Sequence, residues 1–201
     1  MRVAIVGVGS VGRALAAGLM RTGNEVTIGV RDPGDTARHG DAPAPVASVA
    51  DAVSGSEVVI LAVPFPALGE LVPGLALEPG QIVIDATNPV RTPVPAGFAT
   101  GVDYLGSLLP EGVQLVKAFN TIGAEHLSGG AFDAGAAFLP VAGDEPARGA
   151  IAELATEMGF DVADLGGRDT FDLMESHARL WIHLAIVRGW PRDFGFVVAR
   201  R

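Results

Sequence analysis

The residues Gly7-Val8-Gly9-Ser10-Val11-Gly12 have the types and spacing that most directly imply chemistry in this sequence. In G-x-G-x-x-G, one glycine permits a tight turn and the next lets the main chain approach a pyrophosphate. The third lets a helix pack on the preceding strand. The free N–H groups and partial positive charge of the helix start then receive phosphates. Among 27 glycines the spacing alone is a weak signal. Its position, after an apolar strand and before a helical pattern, supplies the context that the motif requires. The competing interpretation is a glycine-rich turn with no ligand.

The end of the second apolar run bears on which dinucleotide would bind. An acidic residue there bonds a ribose 2′-hydroxyl, whereas an arginine accepts a 2′-phosphate. Val30 holds the acidic position and Arg31 follows it, a planar, permanently charged donor suited to phosphate. Asp32 also lies at the spacing of an acidic ribose ligand, but it precedes Pro33 and reads as a cap before a helix. These residues favour NADP over NAD.

Three further segments fall at carboxyl ends of strands, where open α/β sheets bind ligands. Ala62-Val63-Pro64-Phe65-Pro66 offers an apolar wall near a nicotinamide. Asp85-Ala86-Thr87-Asn88-Pro89 offers small and amide side chains. Lys117-Ala118-Phe119-Asn120-Thr121-Ile122-Gly123-Ala124 offers a polar rim for a second ring system. Ordinary turn chemistry would produce similar strings. No acid/base pair stands out: Asp85 reads as a loop cap, and His126, His177 and His183 fall in helical patterns. Lys117 is the single lysine, which reads as compositional bias and marks no site. Hydride transfer between two cofactors needs aligned rings more than a proton donor.

The elements that must position these residues alternate as βαβ units, the mark of a parallel sheet. Strands are expected at residues 2–7, 25–30, 57–63, 81–85 and 115–118, with helices at 11–21 and 66–72. Gly23-Asn24 closes the first helix. Residues 31–56 hold at most short helices and a weak edge strand. Beyond residue 130 the pattern restarts on a smaller scale, with strands at 136–142 and 160–162. Helices follow at 145–158 and 170–188, the last being the longest. The expected fold is α/β: a Rossmann-type doubly wound, mostly parallel sheet with a small C-terminal α/β lobe ending in a long helix. Residues 1–130 form the NADP-binding domain and residues 131–201 the lobe packed on it.

Composition narrows the remaining classes. With 201 residues, 49% of them hydrophobic, the chain can bury a core and is not disordered. A net charge of −9 argues against nucleic acid or an acidic membrane surface as partner, so an anionic ligand needs a local device. No cysteine is present, which excludes disulfides and thiolate chemistry. The four histidines lack metal-ligand spacing, and no run is long and apolar enough to span a bilayer. The first residues read as a strand and not as a leader, so a cytoplasmic location is expected. Trp181 and Trp190 on the C-terminal helix suggest apolar surface for a homodimer.

At these same residues the chain resembles the NADP oxidoreductases that use the deazaflavin coenzyme F420. The similarity rests on residues 1–12, 29–32, 61–65, 83–89 and 116–124, with Val141-Ala142-Gly143-Asp144 and Leu180-Trp181-Ile182-His183 further on. The resemblance implies a Rossmann domain holding NADP, a small lobe closing over the nicotinamide, and direct hydride transfer to a flavin-like ring. By that resemblance Val8 to Val11 line the pyrophosphate and ribose, and Val30 and Arg31 the 2′-phosphate. Val63 and Asn88 lie along the dinucleotide, and Ala124 near the nicotinamide amide. Asn120, Ile122 and the Trp181 region face the second ring. Two positions depart from the family: Val30 replaces a frequent small polar residue, and Asn120 stands where some members have histidine.

Three functions fit this pattern. The first is an NADP-linked oxidoreductase with coenzyme F420 or a flavin as partner. The second is a reductase of a small imine or carbonyl compound, which usually carries a larger helical domain and a lysine or aspartate donor. The third is a non-catalytic NADP-binding redox sensor.

Overall fold

In the computed structural model, which describes residues 1–201, the apolar run after Met1 becomes β1 (Arg2–Val6), covered on both faces. Val3 and Ile5 point to one side and Ala4 and Val6 to the other, and all four are buried. A sheet that is buried on both faces can afford unbroken apolar strands without polar alternation. α1 (Ser10–Arg21) follows. Gly23, at φ 82°, then lets the chain reverse while the Gly23 and Asn24 N–H groups return to Met20 and Leu19.

The next elements are β2 (Glu25–Val30), a short α2 (Thr36–His39), the edge strand β3 (Val46–Ser48) and α3 (Val49–Val53). They are followed by β4 (Val58–Leu61), a 3-10 turn running into α4 (Leu68–Leu71), β5 (Ile82–Asp85), α5 (Gly101–Leu108) and β6 (Gln114–Lys117). The small hairpin of β7 (Ala131–Phe132) and β8 (Gly135–Ala136) precedes β9 (Phe138–Gly143), α6 (Ala147–Glu157) and β10 (Asp161–Asp164). α7 (Phe171–Ile182) ends the regular structure, prolonged by a wider π-helical stretch at His183–Val187.

The main sheet has eight strands in the order β10-β9-β6-β5-β4-β1-β2-β3. All neighbours are parallel except β6 and β9, which run antiparallel with Lys117 opposite Ala142. This is the expected doubly wound Rossmann-type sheet. α1 and α6 cover one face through Leu15, Leu19, Ile151 and Leu154. α3, α4, α5 and α7 cover the other through Val53, Leu68, Leu105, Phe171 and Met174. The chain order reverses at β1, which lies between β2 and β4, and the crevice that such a reversal opens is the usual ligand position. β9 and β10, from beyond residue 130, extend the same sheet, while β7 and β8 stand apart as a hairpin.

α5 was not among the expected elements. Its glycines at 101 and 106 hide its helical character, yet Thr100 and Asp103 form a full capping box at its start. Asp32 differs from expectation too. Its carboxylate accepts the Gly34 N–H in a local turn at 3.0 Å, and Asp35 is the residue that caps α2.

Candidate functional site

The β1–α1 turn is shaped by close packing. Gly7 has φ +116°, and a Cβ there would lie 2.5 Å from the Ala62 carbonyl oxygen. A Cβ on Gly12 would lie 2.1 Å from the carbonyl oxygen of Gly7, so the helix can approach the strand only with glycine at that position. Gly9 is different, because a Cβ there would meet nothing within 4 Å. Packing therefore explains Gly7 and Gly12 but not Gly9, whose bare backbone faces a cavity. Gly9 is the N-cap of α1, and no side chain caps that helix, so its leading N–H groups are unclaimed by side chains.

The cavity beside this turn has a volume of about 940 Å³, within the range of small-molecule sites. Gly7, Val8, Gly9, Val30, Arg31, Val63 and Pro64 all line it. Ser10, Val11 and Gly12 continue into the first turn of α1. Val30 is buried and contributes only an apolar wall. The Arg31 side chain is exposed and, like that of Arg38 across the cavity, makes no ion pair and no hydrogen bond with the protein. Asp32 and Asp35 also line the cavity, but each has a carboxylate oxygen engaged by a backbone N–H, of Gly34 and Arg38 respectively.

Arg13, one turn into α1, was missed in the sequence. Its Nε donates to the Val8 carbonyl at 3.0 Å, and its terminal nitrogens reach the Arg38 carbonyl at 3.1 Å and Asp41 at 2.8 Å. It thus ties the glycine turn to the segment carrying Arg38. His39 was missed as well. Buried, it holds the Asp32 carbonyl through Nε2 at 2.8 Å.

Asn88, Asn120, Ile122 and Ala124 do not line this cavity. They form a second cluster beyond the ends of β5 and β6. Asn88 Nδ2 donates to the Asn120 carbonyl at 2.8 Å, and Asn120 Nδ2 donates to Asn88 Oδ1 at 3.1 Å. Phe119, between β6 and this exchange, has φ 63°, rare for a side chain of its size, and its buried ring packs edge-on against Phe160. Strain of this kind concentrates where a loop must be held for function. Thr87 Oγ1, Asn120 Oδ1 and Thr121 Oγ1 are buried without a hydrogen-bond partner. Such orphaned atoms in one cluster imply a polar group that completes them.

Beneath the cluster lies the feature that contradicts the reading of Lys117 as compositional bias. Lys117 and Asp85 are both wholly buried, and Lys117 Nζ donates to Asp85 Oδ2 and to the Thr87 carbonyl, each at 2.7 Å. Glu175 Oε1 of α7 is 3.9 Å from the same nitrogen and accepts the Val102 N–H at 3.1 Å. Burial raises the Glu175 pKa above the usual carboxylate value, with Asp85 adding to the rise and Lys117 opposing it. Asp85 caps its loop as expected, through Oδ1 and the Thr87 N–H at 2.8 Å, while its other oxygen holds the lysine.

Trp181 also departs from expectation. It is buried and offers no surface to a partner: its ring stacks on Phe194 at 5.1 Å and 15°, and Nε1 donates to the Phe194 carbonyl. It packs on Gly123, where a Cβ would lie 2.7 Å from the indole, so it does stand against the 122–124 turn. His126 pairs with Asp193 at 3.0 Å. His177 sits between Phe138 and Phe196, where burial lowers its pKa below the ordinary imidazole value.

The reversed strand order and the glycine turn at its crevice define a Rossmann-type dinucleotide fold, and comparison with known proteins narrows it. Residues 2–89, a little under half of the chain, match the family described as NADP oxidoreductase, coenzyme F420-dependent. A structure from Arthrobacter sp. FB24, described as a candidate F420-dependent NADP reductase, superposes over 100% of both chains with a TM-score of 0.81 at 28% identity. Rat metalloreductase STEAP3 is 35% identical over 169 residues, 82% of this chain and 34% of that one. The pyrroline-5-carboxylate reductase of Mycobacterium leprae is 37% identical over 122 residues, 58% of this chain and 40% of that one. The chain thus spans about a third to two fifths of the length of these two curated relatives. No helix is long and apolar enough to cross a membrane.

Proposed function

We propose that this chain is an oxidoreductase that binds NADP(H) and exchanges a hydride with a planar deazaflavin (coenzyme F420) or flavin. The observation that carries the proposal is the cavity joining the open backbone at Gly9 to two guanidinium groups, Arg31 and Arg38, that no carboxylate neutralises. That combination suits a pyrophosphate and a 2′-phosphate, and it lets an acidic protein hold a polyanion. The orphaned Thr87, Asn120 and Thr121 oxygens fit the other end of the same ligand, whose carboxamide and ribose hydroxyls can donate hydrogen bonds.

When bound, NADPH supplies the hydride. In this reading the glycine turn and arginines anchor the phosphates, Val63 and Pro64 wall the cleft, and Asn88, Asn120 and Ala124 orient the carboxamide. Ile122 and the Trp181 face exclude water beside the acceptor. Residues 1–130 act as the NADP-binding unit and residues 131–201 as the lobe that closes the acceptor side. The proposed location is the cytoplasm. A homodimer would use α7 and the π-helical stretch after it, where Leu173, Leu180 and Val187 are exposed, together with the exposed Trp190 just beyond. Asp172 near one end and Arg188 beyond the other are complementary when two copies pack antiparallel about a two-fold axis.

Reduction of a small imine or carbonyl is the second reading, favoured by the identity to pyrroline-5-carboxylate reductase. Against it, the sole lysine is fully buried and committed to Asp85 and Thr87. The test mixes the protein with NADPH and coenzyme F420, or a flavin, and follows the nicotinamide absorbance. NADPH oxidation is expected. Turnover only with an imine or carbonyl would replace this reading with the second, and tight binding without turnover would leave a redox sensor.

A further inference from the structure

A buried ion pair is a poor device for stability alone, since an apolar pair of similar volume often does as well or better. What such a pair supplies is direction. The Lys117–Asp85 pair grips the turn after β5 at two points, because Asp85 Oδ1 takes the Thr87 N–H and Lys117 Nζ takes the Thr87 carbonyl. The next residue, Asn88, exchanges hydrogen bonds with Asn120 across to the turn after β6. The two turns are thus locked in one relation, and the orphaned oxygens of Thr87, Asn120 and Thr121 lie on the locked segments. Lys117 itself is fully buried and does not line the cavity beside the glycine turn. Glu175 extends the arrangement to α7 and to the start of α5.

We propose that Lys117, with Asp85, is a positioning residue that holds the Thr87–Asn88 and Asn120–Thr121 turns in the geometry that receives the nicotinamide end of the dinucleotide. The inference rests on the NADP reading above and deepens it. It assigns the adenosine end to Gly9, Arg31 and Arg38 and makes the nicotinamide end depend on the buried pair.

The test compares two ligands on three proteins: wild type, D85N/K117M and D85L/K117M. The double variants remove the Lys117 and Asp85 charges together, so neither strands one partner of that pair, and Glu175 keeps the Val102 N–H that it accepts. 2′,5′-ADP carries the 2′-phosphate but no nicotinamide, whereas NADPH carries both. In a folded double variant, 2′,5′-ADP affinity should stay within about twofold of wild type, while NADPH affinity falls roughly tenfold or more. The fluorescence change of bound NADPH should be lost with it. An unchanged NADPH affinity would overturn the proposal. So would an equal loss of both ligands, or failure of both variants to fold, since the pair would then serve the fold alone. A wild-type protein that binds neither ligand would instead sink the NADP reading itself.

Discussion

The two candidate regions at the carboxyl ends of the strands are built on opposite principles. At β1 and β2 the site is open: backbone N–H groups, a glycine without neighbours and two arginines that hold nothing in the free protein. At β5 and β6 it is closed: paired amides, an inverted Phe119 backbone and an ion pair without solvent contact. The open end keeps its groups free for a ligand, so changes there should alter binding and spare stability. The closed end ties its amides and charges to each other and leaves only the Thr87, Asn120 and Thr121 oxygens unpaired, so changes to the paired groups should reach stability first.

The largest effect that separates the two ends is expected from Lys117→Met. It strands Asp85 in the interior and should cost about 3–5 kcal/mol of unfolding free energy in a urea titration. A cost under about 1 kcal/mol would erase the contrast. Arg31→Ala comes next: it should weaken NADPH by roughly 1.5–3 kcal/mol while barely changing NADH or stability. Equal loss of both nucleotides would remove the 2′-phosphate assignment.

Gly9→Ala sharpens the comparison. Its Cβ meets nothing in the free protein and its backbone is extended, at φ −69°, so stability should hold or rise by about 0.4–1 kcal/mol. Nucleotide affinity should nonetheless drop roughly tenfold, about 1.4 kcal/mol. A variant with normal affinity would make the turn purely structural.

The smallest effects depend on pH. Asp144 accepts Nε and Nη2 of Arg168 and the Leu115 N–H, and Arg168 above all keeps its pKa low. Its contribution is therefore present above the usual carboxylate pKa and is lost as pH falls through the lowered value. Asp144→Asn should remove that acid-side decline, an effect of about 1 kcal/mol or less for a partly exposed pair. Glu175 has the opposite sign. Its pKa is raised by burial, so its contribution is complete below the unfolded value and is lost as pH rises through the folded one. Glu175→Gln should flatten that alkaline-side loss in unfolding curves, and an unchanged slope would mean that its ionisation is not coupled to folding.

The same contrast explains what the amino-acid sequence made legible. The open end is local: Gly7 to Gly12 and Val30-Arg31 sit at the ends of short apolar runs, and spacing within that strand context marked them as candidates. The core strands were legible for the same reason, since a doubly covered strand announces itself as an unbroken apolar run. The closed end is assembled from Asp85, Lys117 and Glu175 on three separate elements, and no periodicity joins them. A lone lysine carries no pattern, which is why Lys117 passed for composition. Arg13 and His39 act through backbone carbonyls, a role that residue type does not reveal. α5 could have been found from Thr100 and Asp103 despite its glycines. The burial of Trp181 could not, because it depends on the irregular segment carrying Phe194, 13 residues further on, folding back over it.

The account turns on whether the crevice beside Gly9 holds a phosphorylated dinucleotide, and a calorimetric titration of the wild-type chain with NADPH and, separately, with NADH addresses this directly. NADPH should saturate a single site with NADH bound at least about tenfold more weakly, the difference a charge-assisted 2′-phosphate contact provides. Heat and saturation from neither nucleotide at millimolar concentration would contradict it.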